Sequence, residues 1–353
     1  MVLRTPCLTK QRIWLVNVPN SPADATLALI LRERRRKVSR MNETVSSPSA
    51  SDAIDEADPN ELTRELVDLL TVERVGEDSY RGKPQTDGIG RVFGGQVIAQ
   101  ALQAAQASIG DGKEAHSLHA YFLRGGEEGP PIDYAIARDF DGRSFANRRA
   151  VASQDGTPIL NLTASFQTPE DGLSHEAMAF PDVAGPDTLK SDQQLRREIF
   201  ADKLDQMNET QRHFMLRPRP IEMRPVEGLH WMNTEPREPN SQTWFKTVGA
   251  LPDDPALHRA VIAYASDYTL LGTAAIAHGL SWMRNELVGA SLDHAVWFHA
   301  PARADQWLLY DTDSPWSGSG RGYNRGRIFS EDGTLVASVA QEGMMRKRRP
   351  KTK

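Results

Sequence analysis

Asp267, Ser291 and Gln341 are the residue types from which this chain could assemble a hydrolytic centre. A carboxylate can orient a water molecule and take its proton, while a hydroxyl and an amide hold that water in line. Aspartate is a weak base in bulk solvent, with a reference pKa of about 3.9, so burial would have to raise it. Other hydrolytic designs are absent from the sequence. There is no G-x-S-x-G elbow, and the nine histidines include no H-E-x-x-H pair. His294 and His299 are five apart on a predicted strand and so point to opposite faces.

The three residues stand out because the chain repeats itself and they occur in one copy only. NRRAVASQDGT (Asn147 to Thr157) matches NRGRIFSEDGT (Asn324 to Thr334) at six of eleven positions, offset by 177. Upstream, HSLHAYFLR (His116 to Arg124) lies over SLDHAVWFH (Ser291 to His299), which places Ser291 opposite His116 and His294 opposite His119. Each copy reads as a helix followed by a run of strands. The first helix is Gln96 to Ser108, its Val97, Ala101 and Ala104 on one face and Gly110 ending it. The second is Tyr268 to His278, with Ser266-Asp267 at its start, where Asp267 would also serve as an N-cap. Asp155-Gly156 and Asp332-Gly333 predict hairpins. Leu160, Leu162, Ala164 and Phe166 alternate with polar residues, so one face of that last strand is buried. Overlaying the last strands puts Gln341 on Ala164, on the helix-facing side. An unpaired buried amide costs about 1–3 kcal/mol, so Gln341 needs a partner. Small-faced helices wrapped by antiparallel strands predict an α+β architecture and exclude a βαβ dinucleotide fold.

The organisation expected is a disordered extension over residues 1–60, a first repeat over 61–170, a linker with some helix at 171–217, a second repeat over 218–346 and a basic tail at 347–353. Residues 1–40 carry nine Lys or Arg but only short apolar stretches, against a secretory signal, and Met41 is read as an alternative start. One cysteine, Cys7, excludes a disulfide framework and a cysteine-based metal site, and suits a reducing cytoplasmic setting. The net charge of −5 gives no support for nucleic-acid binding. No apolar run approaches the ~18–20 residues of a membrane span.

The chain resembles the acyl-CoA thioesterase II family, whose members are double hotdog enzymes. The resemblance rests on RVFGGQVIAQAL (Arg91 to Leu102), HSLHAYFLRGG (His116 to Gly126), YASD (Tyr264 to Asp267), SLDHAVWFHAP (Ser291 to Pro301) and DGTLVASVAQEGMMR (Asp332 to Arg346). It implies two tandem hotdog domains, antiparallel sheets each wrapped around a central helix, in a homo-oligomer. It further implies a fatty acyl-CoA substrate, no cofactor or metal, and a water activated by Asp267, Ser291 and Gln341 without a covalent acyl-enzyme. Where the family commonly has Thr, this chain has Ser291, which keeps the hydroxyl. Thioesters are activated acyl donors, so modest base strength suffices. Gly94 and Gly95 are implied to lie near the entering thioester, glycine allowing close backbone approach, and Arg321 and Arg325 are expected to meet coenzyme A phosphates. Two alternatives stay open: a hotdog-type enoyl-CoA hydratase or dehydratase, suggested by Asp293-His294, and a non-catalytic acyl-CoA binding protein. The match of His119 to His294 argues for a shared structural role and against the first.

Overall fold

The computed structural model describes residues 57–85, 90–110, 112–282 and 284–348. The expected disordered extension up to residue 56 and the end of the basic tail lie outside them. The described chain forms one antiparallel sheet of thirteen strands. In chain order the elements are α1 (Pro59–Leu70), β1 (Val72–Gly76), β2 (Ser79–Gly82), α2 (Gly94–Ala107), β3 (Glu114–Phe122), β4 (Ile132–Asp141), β5 (Phe145–Gln154) and β6 (Thr157–Gln167). Helices α3 (Asp192–Phe200) and α4 (Glu209–Leu216) follow, then β7 (Ile221–Pro225), β8 (Asn240–Thr247), α5 (Pro255–Ser266) and α6 (Leu270–Ile276). The chain closes with β9 (Leu287–Ser291), β10 (Asp293–Phe298), β11 (Leu308–Gly318), β12 (Arg321–Ser330) and β13 (Leu335–Lys347).

The sheet order is β1-β2-β4-β5-β6-β3-β10-β13-β12-β11-β8-β7, with β9 also on β13, so the second half repeats the first in reverse. The halves join where β3 pairs with β10, His119 facing Ala295 across a local twofold axis. Helices α2 and α5 are buried nearly all round by alanine and aliphatic side chains. Their small residues let backbones approach: a Cβ on Gly95 would sit 2.4 Å from the Tyr264 carbonyl oxygen. The start of α2 therefore abuts the end of α5, and Arg259 of α5 pairs with Glu114 at the start of β3.

Two expectations need correction. The second repeat places helix at Leu270–Ile276, inside the predicted span, but a longer helix, Pro255–Ser266, precedes it. Asp267 is the C-cap of that earlier helix and opens none. Proline at the first turn after Asp254, whose side chain accepts from the Ala256 amide, was the available signal for its start. The second correction concerns register. Asp155 and Gly156 both have positive φ and close a two-residue turn, whereas the Asp332-Gly333 turn runs from Ser330 to Thr334. The longer turn changes the offset from 177 on β13 to 176 on β12. Arg148 and Leu118 flank Ala164 in the first half, and Asn324 flanks Gln341 in the second. The β10–β13 ladder pairs Ala295 with Ala340, so His294 comes next to Gln341 and corresponds to Leu118, not His119. By the same pairing, Ser291 opposite Gly343 corresponds to Ala115 opposite Phe166, not to His116.

Candidate active site

Four elements converge on Asp267. It follows the last residue of α5, and its carboxylate accepts from the Gly95 amide at the start of α2 in the other half. The first residue before α2, Phe93, provides no side-chain cap, so Asp267 supplies the acceptor that this helix start lacks. From β13, Gln341 Nε2 donates to Asp267 Oδ1 at 2.7 Å and lies 3.1 Å from Ser291 Oγ, at the end of β9. The Ser291 hydroxyl is 3.5 Å from Asp267 Oδ1, at the outer limit of a hydrogen bond.

The structure thus brings the three predicted residues together. Gln341 has its partners, although its Oε1 has none among the described residues. The Asp267 side chain is 6% exposed. Burial pushes its pKa up to about 6, against the opposing pull of hydrogen bonds from Gln341, the Gly95 amide and Ser291. A carboxyl in that range is a far better base near neutral pH than aspartate in water.

Beneath the three lies His294, wholly buried, 3.1 Å from Gln341 Nε2 through Nδ1 and 2.8 Å from Ser266 Oγ through Nε2. Burial depresses its pKa to about 3, so the ring is neutral. The 3.9 Å between His294 Nδ1 and Asp267 Oδ1 is therefore not an ion pair. Its apparent match to His119 in the sequence, a histidine in each repeat, points to a structural role and hides this contact.

Asp267 and Ser291 line a cavity of about 570 Å³, along with Gly94. A Cβ on Gly94 would meet Asp267 Oδ2 at 2.6 Å, so glycine at this position keeps room for the carboxylate. Gly95 is needed for the helix contact and does not line the cavity. The apolar wall includes Phe214, Leu229, Trp231 and Leu271. Part of it comes from the segment read as a linker: α3 and α4, each opened by a capping box, contribute Asp192, Arg196 and Phe214. Arg196 and Arg219 share Asp192 at 3.1 and 3.9 Å, their guanidinium groups over the rings of Trp231 and Phe214. Arg321 and Arg325 are not part of this site. They alternate along β12 with Gly322 and Asn324, which are buried, and pair on the opposite face with Glu342 and Asp313.

An antiparallel sheet with paired central helices and a buried carboxylate–hydroxyl–amide cluster on a cavity defines a double hotdog protein equipped for hydrolysis. Comparison with known proteins is specific. The acyl-CoA thioesterase family matches residues 212–344, and the acyl-CoA thioesterase N-terminal domain family matches residues 83–167. Acyl-coenzyme A thioesterase 8 of Homo sapiens is 36% identical over 296 residues, covering 82% of this chain and 91% of that one. Acyl-CoA thioesterase 2 of Haemophilus influenzae is 33% identical over 287 residues, covering 81% of this chain and 99% of that one. The crystal structure of the acyl-CoA thioesterase II TesB2 from Mycobacterium marinum superposes with a TM-score of 0.64 at 37% identity, covering 80% of this chain and 98% of that one. The chain belongs to the acyl-CoA thioesterase II family of thioester hydrolases.

Proposed function

We propose that this protein hydrolyses medium- and long-chain fatty acyl-CoA to free fatty acid and coenzyme A, with Asp267 as general base. The observation that carries the reading is a carboxylate with its pKa raised to about 6, held by Gln341 at the wall of an apolar-lined cavity. In the reaction a water oxygen attacks the thioester carbonyl carbon as its proton passes to Asp267. The C–S bond then breaks, and the proton is returned to the leaving thiolate. Ser291, which reaches the cavity, holds the water. Gln341, buried behind both, positions the carboxylate. His294 does not line the cavity, which argues against its acting as the acid or base of a dehydratase.

The two hotdog domains are assigned to residues 61–170 and 218–346, joined by the 171–217 segment that also walls the cavity. Arg196 and Arg219, rather than Arg321 and Arg325, are placed to meet the coenzyme A phosphates, because two guanidinium groups share a single carboxylate inside this cavity. Among the described residues no helix is long and apolar enough to cross a membrane. A cytoplasmic homo-oligomer completes the reading, supported by exposed Tyr121, Leu123, Phe140 and Phe145 in the first half.

The test is thiol release from a C4 to C18 acyl-CoA panel, with Asp267→Asn run beside the wild type. Release that falls by about 10²–10⁴-fold in the variant supports general-base hydrolysis. No release from any substrate would leave a binding protein or a dehydratase. With Arg196→Gln, KM should rise for the CoA thioester of the preferred acid and stay level for the pantetheine thioester.

A further inference from the structure

We infer that His294 is a positioning residue of the hydrolytic centre, holding the Gln341 amide in the one orientation that serves Asp267. The inference rests on the hydrolytic reading above. Its basis is a closed circuit of hydrogen bonds in which every proton can be placed.

Ser266 Oγ lies 2.9 Å from the Ala263 carbonyl and donates to it, as serine commonly does in the last turn of a helix. Its remaining lone pairs make it the acceptor for His294 Nε2 at 2.8 Å, so Nε2 carries the ring proton. The neutral ring then offers Nδ1 only as an acceptor, and Gln341 Nε2 donates to it at 3.1 Å. The other N–H of the same amide goes to Asp267 Oδ1 at 2.7 Å, which leaves Ser291 Oγ, 3.1 Å from the same nitrogen, without an amide proton. Ser266 and Asp267 are consecutive, so the circuit begins and ends at the close of α5. Turning the amide over would set its oxygen against both the His294 lone pair and the Asp267 carboxylate. An ordinary glutamine beside a carboxylate has one such constraint, whereas this one has two.

The rest of the surroundings reinforce the arrangement. Tyr310 donates to the Ser266 carbonyl at 3.0 Å, fixing the end of α5 from β11. Ala274 donates its amide to Asn324 Oδ1 at 2.9 Å, and Asn324 is the cross-strand neighbour of Gln341. In the first half the place of His294 is taken by Leu118 and that of Gln341 by Ala164, and both are fully buried there. The fold therefore accepts leucine at this point of the sheet, and the histidine answers a need that only the second half has.

The experiment uses the full chain with His294→Leu and His294→Asn. Leucine removes the acceptor, whereas asparagine restores an oxygen near the position of Nδ1. His294→Leu should lower kcat by about tenfold to a hundredfold, the scale of a slightly misplaced catalytic group, with KM within twofold of wild type. His294→Asn should recover most of that loss. A His294→Leu enzyme with unchanged kcat, or an asparagine variant no better than leucine at equal melting temperature, would overturn the inference. A second readout does not depend on turnover: ¹⁵N spectra of the wild type at pH 7 should show His294 neutral with the proton on Nε2. A protonated ring or the Nδ1–H tautomer sinks the inference even if the enzyme is active. Conversely, the expected tautomer in a protein without thioesterase activity would count against the proposed function alone.

Discussion

The two halves use one sheet order and one helix contact yet treat the same interior positions in opposite ways. In the first half, Ala115, Leu118 and Ala164 fill the space between helix and sheet with hydrocarbon. Opposite Ala164 lies Arg148, 1% exposed, whose guanidinium donates to Ser108 Oγ, to the Phe140 and Asn147 carbonyls and to Asp141. That arginine ties off the end of α2 and does not line the cavity at Asp267. The corresponding second-half positions hold Ser291, His294, Gln341 and Asn324; His294 and Gln341 link the end of α5 to Asp267, Asn324 accepts from Ala274 of α6, and the carboxylate is left at a cavity wall. A duplicated frame can thus carry a single centre. The half that keeps hydrocarbon contributes the amide of Gly95, whose helix start reaches across to the carboxylate.

Among changes that make the second half resemble the first, the largest effect should come at position 341. Gln341→Ala, copying Ala164, removes the donor to Asp267. Turnover should fall by about a hundredfold, the scale of one lost donor to a charge-bearing centre. Acyl-CoA binding and melting temperature should stay near wild type. Equal losses of binding and stability would make Gln341 a structural residue and erase the contrast.

A second effect is on stability. Asp267 is raised from 3.8 to about 6 in the folded protein by burial. An acid raised on folding stabilises most when the pH is below its unfolded pKa, and that stabilisation is lost as pH climbs through the folded value. The shift corresponds to about 3 kcal/mol. Asp267→Asn should therefore remove a loss of stability between about pH 4 and pH 6, and above pH 7 the inactive variant should be the more stable one in denaturant titrations. The acid limb of kcat/KM in the wild type should likewise rise through about pH 6. A limb near 4 would mean that Asp267 is solvated.

The smallest effect on activity belongs to the first half. Arg148→Met should destabilise by about 2–3 kcal/mol, because the carbonyls of Ser108 and Phe140 lose their donor. Per folded molecule, kcat should be unchanged. A large drop in kcat would show that the first half does more than brace the second.

Much of this was legible in residue order. The 177-residue repeat gave the two halves, the Asp155-Gly156 pair gave its hairpin, and period-two alternation put Gln341 on the inward face. The absence of the Ser291, Gln341 and Asp267 pattern from the first repeat marked the site. The same alternation, read along Arg321, Gly322, Asn324 and Arg325, would have set the two arginines on the outward face, since side chains four apart share a face and neighbours do not.

What the sequence determined by itself was the set of candidate residues and the kind of frame that holds them, because strand periodicity and turn chemistry are local. Only the tertiary structure decided which residues are neighbours across that frame. A turn longer by one residue shifts β12 by one position, and one position exchanges the faces of a strand. On β10 the ladder with β13 likewise makes His294 the partner of Gln341 and not the twin of an outward histidine. The cap that Asp267 gives to α2, and the cavity wall built by α3 and α4, join segments far apart in the chain. Contacts of that kind are settled by how small-faced helices pack, which no local pattern records.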